Sequence, residues 1–393
     1  MSREKPLIAA GLLGAFLLRI WGSHQGYPAF YGHVDEVGVV ASVWNFYRSA
    51  TLLPTEFTYP AFYSYLTAAG LWVSYWLGFL TNVGNAWDSL VFASYVDPAR
   101  SALTGRFLSA AAATLSVFLT YLLAKRACGP TVATIAFLFA AAAVVPVGQA
   151  HHALPDSTMA LFAALTFYLA WRIYESGRTG LLVLGGVSAG LLVATKYNGG
   201  LVALSLLAAY MLHRRRLGIP LIAGAGLGKM GLCVGAAFVA MSVASPYLVL
   251  AHDKYLALGR YQVSSLGFSL GETTPWWWII QGFVQTEYLI GALFVAAAGV
   301  AAMRRGPLDL IFLAAWVPSF AYIGSWTRES LHYLLQFYPL LTILAAGIVR
   351  QFLARLSVRH DWLLIVVVLF CVVTDTRELA ARYEQELKLP EVK

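Results

Sequence analysis

Asp35 and Glu36 are neighbours in the stretch Gly32-His-Val-Asp-Glu-Val37, just after the first long apolar run of the chain. Charge beside hydrocarbon is costly and tends to be kept for function, so adjacent carboxylates there point to acid–base chemistry. The alternative is the solvated start of a loop. Further polar residues fall near the ends of later apolar runs: His151, His152, Asp156, Lys196, Asn198, Glu272, Arg328, Glu329 and His332. Taken singly, each has a structural reading. The two histidines could sit at a membrane interface, Asp156 could cap a helix, Lys196 could snorkel, and Arg328 with Glu329 could be a surface ion pair. Brought together they suit another task. A carboxylate takes the proton of a hydroxyl acceptor, while Lys196 and Arg328 stabilise charge growing on the phosphate of an anionic lipid head group as it becomes the leaving group.

The elements that would have to position these residues are membrane helices. Of 393 residues, 59% are hydrophobic and 12% charged, which is too little polar cover for a soluble domain. The net charge of +8 is not a nucleic-acid signal. The basic residues fall in short clusters between apolar runs, as cytoplasmic loops require. The three cysteines, Cys128, Cys233 and Cys371, are far apart and read as packing residues.

Apolar stretches near the length needed to cross a bilayer run over 7–22, 107–123, 131–148, 157–174, 180–196, 198–212, 228–247, 279–303, 308–324, 331–350 and 361–376, about eleven crossings in all. The first, behind Arg3 and Lys5, is read as an uncleaved helix. The clusters Lys125-Arg126, Arg172 with Arg178, His213 to Arg216, Arg304-Arg305, and Arg350 with Arg355 and Arg359 then share the side of Arg3 and Lys5. This puts the N-terminus inside and the polar residues above on the outer face.

Residues 60–80 are apolar enough to span, but a crossing there would move every later basic cluster outside. The segment, rich in Tyr63, Tyr65, Trp72, Tyr75 and Trp76, is read as lying along the outer surface, as is 37–48. The expected architecture is an all-α polytopic bundle over 1–376, with an external cap at 23–105, an external loop at 248–278 that could act as a lid, and a short external tail at 377–393. In the loop, Trp276-Trp277-Trp278 could equally form an aromatic belt. Gly186 with Gly190, and Gly231 with Gly235, are spaced for close helix approach. The string Gly224 to Lys229 only superficially resembles a phosphate loop, because Ala223 replaces its first glycine and Met230 its Ser/Thr. No soluble nucleotide-binding unit and no inverted pair of broken spans is visible.

Several of these segments resemble a known family. Val34-Asp-Glu-Val-Gly-Val-Val-Ala41 is similar to the Asp-Glu signature in the first external loop of the GT-C glycosyltransferases, in particular the protein O-mannosyltransferase and aminoarabinose transferase branch. Tyr59-Pro-Ala-Phe-Tyr-Ser-Tyr65, Leu154-Pro-Asp-Ser-Thr158, Ala194-Thr-Lys-Tyr-Asn-Gly199 and His332-Tyr-Leu-Leu-Gln-Phe-Tyr-Pro339 resemble later segments of that branch in the same order. His152 and His332 stand where the family often has Arg, and the second proline after Tyr59 is absent.

The resemblance implies a GT-C bundle that takes a sugar from a polyprenyl-phosphate donor, inverts at the anomeric carbon and delivers the sugar to a lipid, glycan or protein hydroxyl. The host would be a bacterial or archaeal cell membrane. Asp35 would be the catalytic base and Glu36 would orient the acceptor or Asp35. Asp156 would bind sugar hydroxyls or fix the site, and Lys196 would hold the donor phosphate. Tyr59, His152, Glu272, Arg328 and His332 would complete donor binding, the histidines titrating near neutral pH. No cofactor is expected. No metal-ligand spacing stands out, although Asp35, Glu36, His151 and His152 could in principle hold a divalent cation. A transporter or flippase, or a glycan polymerase or ligase, are the alternatives. A transporter would place ionisable groups at mid-membrane depth in broken helices.

Overall fold

The computed structural model describes residues 4–24, 33–76, 86–220, 224–266 and 276–355. The chain there is a succession of helices. They are α1 (Glu4–Ile20), α2 (Glu36–Arg48), α3 (Phe62–Trp76), α4 (Ala86–Val96), α5 (Ala99–Cys128), α6 (Pro130–Ala142), α7 (Val144–Ala150) and α8 (Asp156–Ser176). There follow α9 (Thr179–Thr195), α10 (Leu204–Arg216), α11 (Ala225–Ala244), α12 (Tyr247–Leu250), α13 (His252–Leu266), α14 (Trp277–Arg304), α15 (Pro307–Gly324) and α16 (Tyr338–Arg355). Two 3-10 turns, Tyr197–Ala203 and Leu331–Phe337, lead into α10 and α16. The breaks follow local chemistry. Gly129 at φ 93 ends α5 and Pro130 opens α6, while Gly177 in the left-handed region closes α8.

α-Helices or 3-10 turns lie over the apolar stretches up to residue 350, but fewer of them than expected are of spanning length. Five stretches are long and apolar enough to cross a membrane: α5, Gly226–Ala244, α14, α15 and Leu331–Arg355. The count is six if α6 and α7 are one span, and all of this concerns the described residues. That span is not the single rod expected for 131–148, since α6 and α7 meet at 51°. The expected last crossing, 361–376, the tail 377–393 and Glu272 lie outside the described residues.

α8 runs through the middle of the bundle against α5, α9, α10 and α16. The continuous apolar core includes Phe139, Phe167, Phe294, Phe312 and Phe337, all fully buried. A second, smaller core joins α2, α3 and α4 through Val43, Trp44, Leu71, Tyr75 and Leu90. α9 and α11 touch closely because Gly186 and Gly190 face the backbone carbonyls of Cys233 and Ala237, which any Cβ would strike. Gly231 and Gly235, spaced identically, face open space, so the expected close approach uses only the α9 pair.

Candidate functional site

The two adjacent carboxylates diverge. Glu36 is fully buried, and its Oε1 and Oε2 accept from Arg106 Nε and Nη2 at 2.8 and 2.7 Å. Oε1 also takes the Ala153 amide at 2.6 Å, and Arg106 Nη1 donates to the Ser23 carbonyl at 2.7 Å. This clamp ties the end of α1, the start of α2, α5 and the corner before α8. The bidentate form is the strong geometry for Arg and carboxylate. Both oxygens of Glu36 are thus engaged within the protein. Among the described residues no group of three metal-ligating side chains forms.

Asp35 faces the other way, with its side chain 47% exposed. Its Oδ2 accepts from the Tyr59 hydroxyl at 3.2 Å, and its backbone amide donates to His33 Nδ1 at 3.1 Å. Burial, helped by Asp156 and Asp35, pushes the Tyr59 phenol above its ordinary range, so Tyr59 stays a proton donor. Behind it Lys196 Nζ lies 5.0 Å from the Tyr59 ring centre and 5.5 Å from that of Tyr333. Lys196 is buried rather than snorkelling and donates to Asp156 Oδ1 at 2.7 Å. Asp156 stands at the first position of α8 and spends its charge on this lysine rather than on a cap bond. The Asn198 amide donates to the Tyr333 carbonyl at 2.9 Å, joining the two 3-10 turns beneath the pair. Arg328, exposed, reaches the Tyr333 hydroxyl, and no ion pair joins it to Glu329 among the described residues.

An open cavity of about 450 Å³ adjoins this cluster, walled by α7, the first turns of α14 and residues 329–332. His152 and His332 stand in its wall, and the His152 ring lies 5.0 Å from that of His33, which links the cavity to Asp35. Glu329 lines it too. Burial, only partly opposed by Glu36, pulls His152 from 6.5 down to about 4, so it is neutral at pH 7 and does not titrate near neutrality as expected. The unfolded chain therefore binds this proton more readily than the folded one, and stability is full above pH 6.5 and lost as pH falls towards 4. Melting temperature should drop through that window, and His152→Gln should flatten the drop. An unchanged profile would assign the loss elsewhere.

The cavity's inner wall depends on a join that sequence reasoning missed. At the α6–α7 break, Arg19 donates to the carbonyls of Ala140 and Ala141 at 2.9 Å each, satisfying the end of α6. Across the break the fully buried Glu287 carboxylate accepts the amides of Val144 and Val145 at 2.7 and 2.8 Å and the Tyr338 hydroxyl at 2.9 Å. α14 is itself interrupted immediately after, at Tyr288 with φ 47. Glu287→Ala would leave the buried Val144 amide without its acceptor, at about 1–3 kcal/mol for a buried group left unpaired, and would take one acceptor from the half-buried Val145 amide and the Tyr338 hydroxyl. A lower melting temperature and faster amide exchange at 144–150 are the expected readouts, and wild-type exchange there would contradict this role.

Trp276 and Trp278 both reach the end of α15. Their indole nitrogens donate to Ala321 and Gly324 carbonyls at 3.0 and 3.2 Å, fastening α14 to α15. In the 248–278 loop, α13 leans on the Tyr59 segment through Tyr255 and Phe57, whose ring centres are 5.0 Å apart. Arg106, Arg19 and Glu287 each had one sequence signal, a lone charge inside or beside an apolar run.

Residues 99–250 match the dolichyl-phosphate-mannose-protein mannosyltransferase family. The helical arrangement resembles that of ArnT from Cupriavidus metallidurans bound to undecaprenyl phosphate, with a TM-score of 0.57 and 18% identity over 88% of this chain and 59% of that one. The fold is that of the GT-C glycosyltransferases. A second GT-C structure, the apo oligosaccharyltransferase of Archaeoglobus fulgidus, matches with a TM-score of 0.56 and 14% identity over 95% of this chain and 55% of its own. The same organism's AglB in complex with an inhibitory peptide and a dolichol-phosphate gives 0.53 and 14% over 96% and 56%. The chain thus spans little more than half the length of these GT-C structures. No curated protein matches it by sequence.

Proposed function

We propose that this chain is an inverting glycosyltransferase that moves a sugar from a polyprenyl-phosphate donor to a hydroxyl acceptor at the external face of a bacterial or archaeal membrane. The observation that carries the reading is the Asp35 carboxylate, half exposed and held by Tyr59 beside the buried Lys196–Asp156 pair. The acceptor oxygen attacks the anomeric carbon from the side opposite the phosphate. The carbon–oxygen bond to the phosphate breaks, its electron pair leaves on the lipid phosphate, and the hydroxyl proton passes to Asp35 and then to water. Exposed Arg328 meets the phosphate, Lys196 adds positive potential from behind, and His332 and Tyr59 flank the sugar. The cytoplasmic N-terminus and the interfacial lie of α2 and α3 belong to this reading. The lipid phosphate in ArnT and the dolichol-phosphate in AglB support the donor class.

The broken α6–α7 helix with Arg19 and Glu287 at its joint is the one feature favouring a transporter. Both charges, however, are engaged by backbone groups on the two sides of the break, an arrangement suited to a fixed joint. The test is reconstitution in lipid with polyprenyl-phosphate sugars and hydroxyl acceptors. Glycoside of inverted anomeric configuration, seen by NMR, is the expected product. Solute crossing the bilayer without glycoside would overturn the proposal.

A further inference from the structure

The cavity beside His152 and His332 has walls unlike those of a phosphate, peptide or lipid site. Three glutamines, Gln149 on α7 and Gln281 and Gln285 on α14, line it, and none of their side-chain amides hydrogen-bonds to another of the described residues. Trp278, Gln281 and Gln285 share one helical stripe by their spacing, and Thr286 and Glu329 complete the polar lining. No Lys or Arg stands among its walls. The basic cavity at the other end of the bundle differs, since Arg304 and Arg350 line it.

An amide presents a donor pair and an acceptor in one group, as a sugar hydroxyl does, so the two satisfy each other without net charge. A phosphate would instead call for Arg or Lys and would meet the Glu329 carboxylate. A lipid tail or an apolar peptide anchor would desolvate free amides without repaying their hydrogen bonds. The cavity, about 450 Å³, is within the range of sites that enclose small ligands. Burial keeps the neighbouring His152 uncharged at pH 7, which fits the same neutral ligand.

We propose that the cavity walled by Gln149, Gln281, Gln285 and Glu329 is a saccharide site that receives an uncharged glycan as the acceptor of the transfer. The inference rests on the transferase reading, and it narrows the acceptor to a glycan hydroxyl over a protein or lipid hydroxyl. The His152 ring in the cavity wall lies 5.0 Å from that of His33, beside Asp35, and this is the route by which a hydroxyl of the bound glycan would reach the base.

The test uses the full chain in lipid nanodiscs, without donor, and saturation-transfer NMR. The probes are neutral hexose tri- and tetrasaccharides, with inorganic phosphate and a Ser/Thr-containing peptide as competitors. Saturable transfer to a saccharide, unaffected by either competitor, is expected. Gln281→Leu/Gln285→Leu, of similar size and helix-compatible, should weaken it about tenfold, because two hydrogen bonds are lost. Absence of saccharide binding, equal binding by the double variant, or displacement by phosphate or peptide would overturn the proposal. A transfer assay separates the two readings. Glycoside formed on a peptide but never on a saccharide sinks the glycan site and spares the transferase, whereas saccharide binding with no transfer from any donor sinks the transferase.

Discussion

Asn at position 35 should lower turnover by about 10²- to 10⁴-fold, the range that a positioned general base contributes. The exchange preserves size and leaves an oxygen to accept the Tyr59 hydroxyl, now 3.2 Å from Asp35 Oδ2. It removes the negative charge and with it the capacity to take a proton. Because Asp35 is 47% exposed and its side chain has only the Tyr59 hydroxyl bond and a 4.0 Å approach to His33 Nδ1 among the described residues, melting should be nearly unchanged. The loss should fall on kcat, with the donor's KM little altered, since Lys196, Asp156 and Arg328 are untouched. Tyr59→Phe tests the same geometry from the other side: it leaves the carboxylate but frees its orientation, so a smaller loss is expected, with the pH dependence of turnover still present. Wild-type turnover in the Asp35→Asn protein would remove the base assignment, whatever the product.

How far the sequence reached depends on the range of each interaction. Apolar runs report local burial, so helices or 3-10 turns lie over the expected stretches through residue 350. Polar residues at the ends of such runs had few places to go, and Asp35, Tyr59, Asp156, Lys196 and Tyr333 do meet. What stayed illegible was the partner of each charge. Glu36 and Asp35 look alike in sequence, yet one reaches Arg106, seventy positions away, and the other reaches outward. Drawing the second crossing from residue 107 left that arginine just outside it, where its burial could not be foreseen. The α6–α7 break is likewise set from afar, by Arg19 on α1 and Glu287 on α14, and only Pro146 marks it locally. Gly186 and Gly231 carry the same four-residue spacing to their partners, and only the facing helix decides that one is contact and the other is open. His152, a candidate phosphate partner by position, is made neutral by burial that no pattern of neighbours announces.

Removing one member of the Glu36–Arg106 pair should be the most damaging change to stability, about 3–5 kcal/mol, because the survivor is a buried charge deprived of its counter-charge. Both side chains are nearly inaccessible, at 0 and 2% exposure. Arg106→Ala takes the guanidinium from Glu36 and also releases the Ser23 carbonyl, while Glu36→Ala takes the carboxylate from Arg106 and frees the Ala153 amide. Either loss is a large part of a typical folding free energy of about 5–15 kcal/mol. The corner before α8 and the start of α2 would then move independently, and Asp35, one residue from the clamp, would lose its register against Lys196. The single variants should therefore melt early and transfer poorly. The double variant Glu36→Met/Arg106→Leu separates the two causes. With no charge left to bury and similar volume retained, it should recover much of the lost stability, as replaced buried pairs often do. It should regain transfer as well if the clamp acts only by holding Asp35 in place. Recovery of folding without recovery of transfer would instead give Glu36 or Arg106 a direct part in the reaction, and single variants that melt like the wild type would show that the cap is held elsewhere.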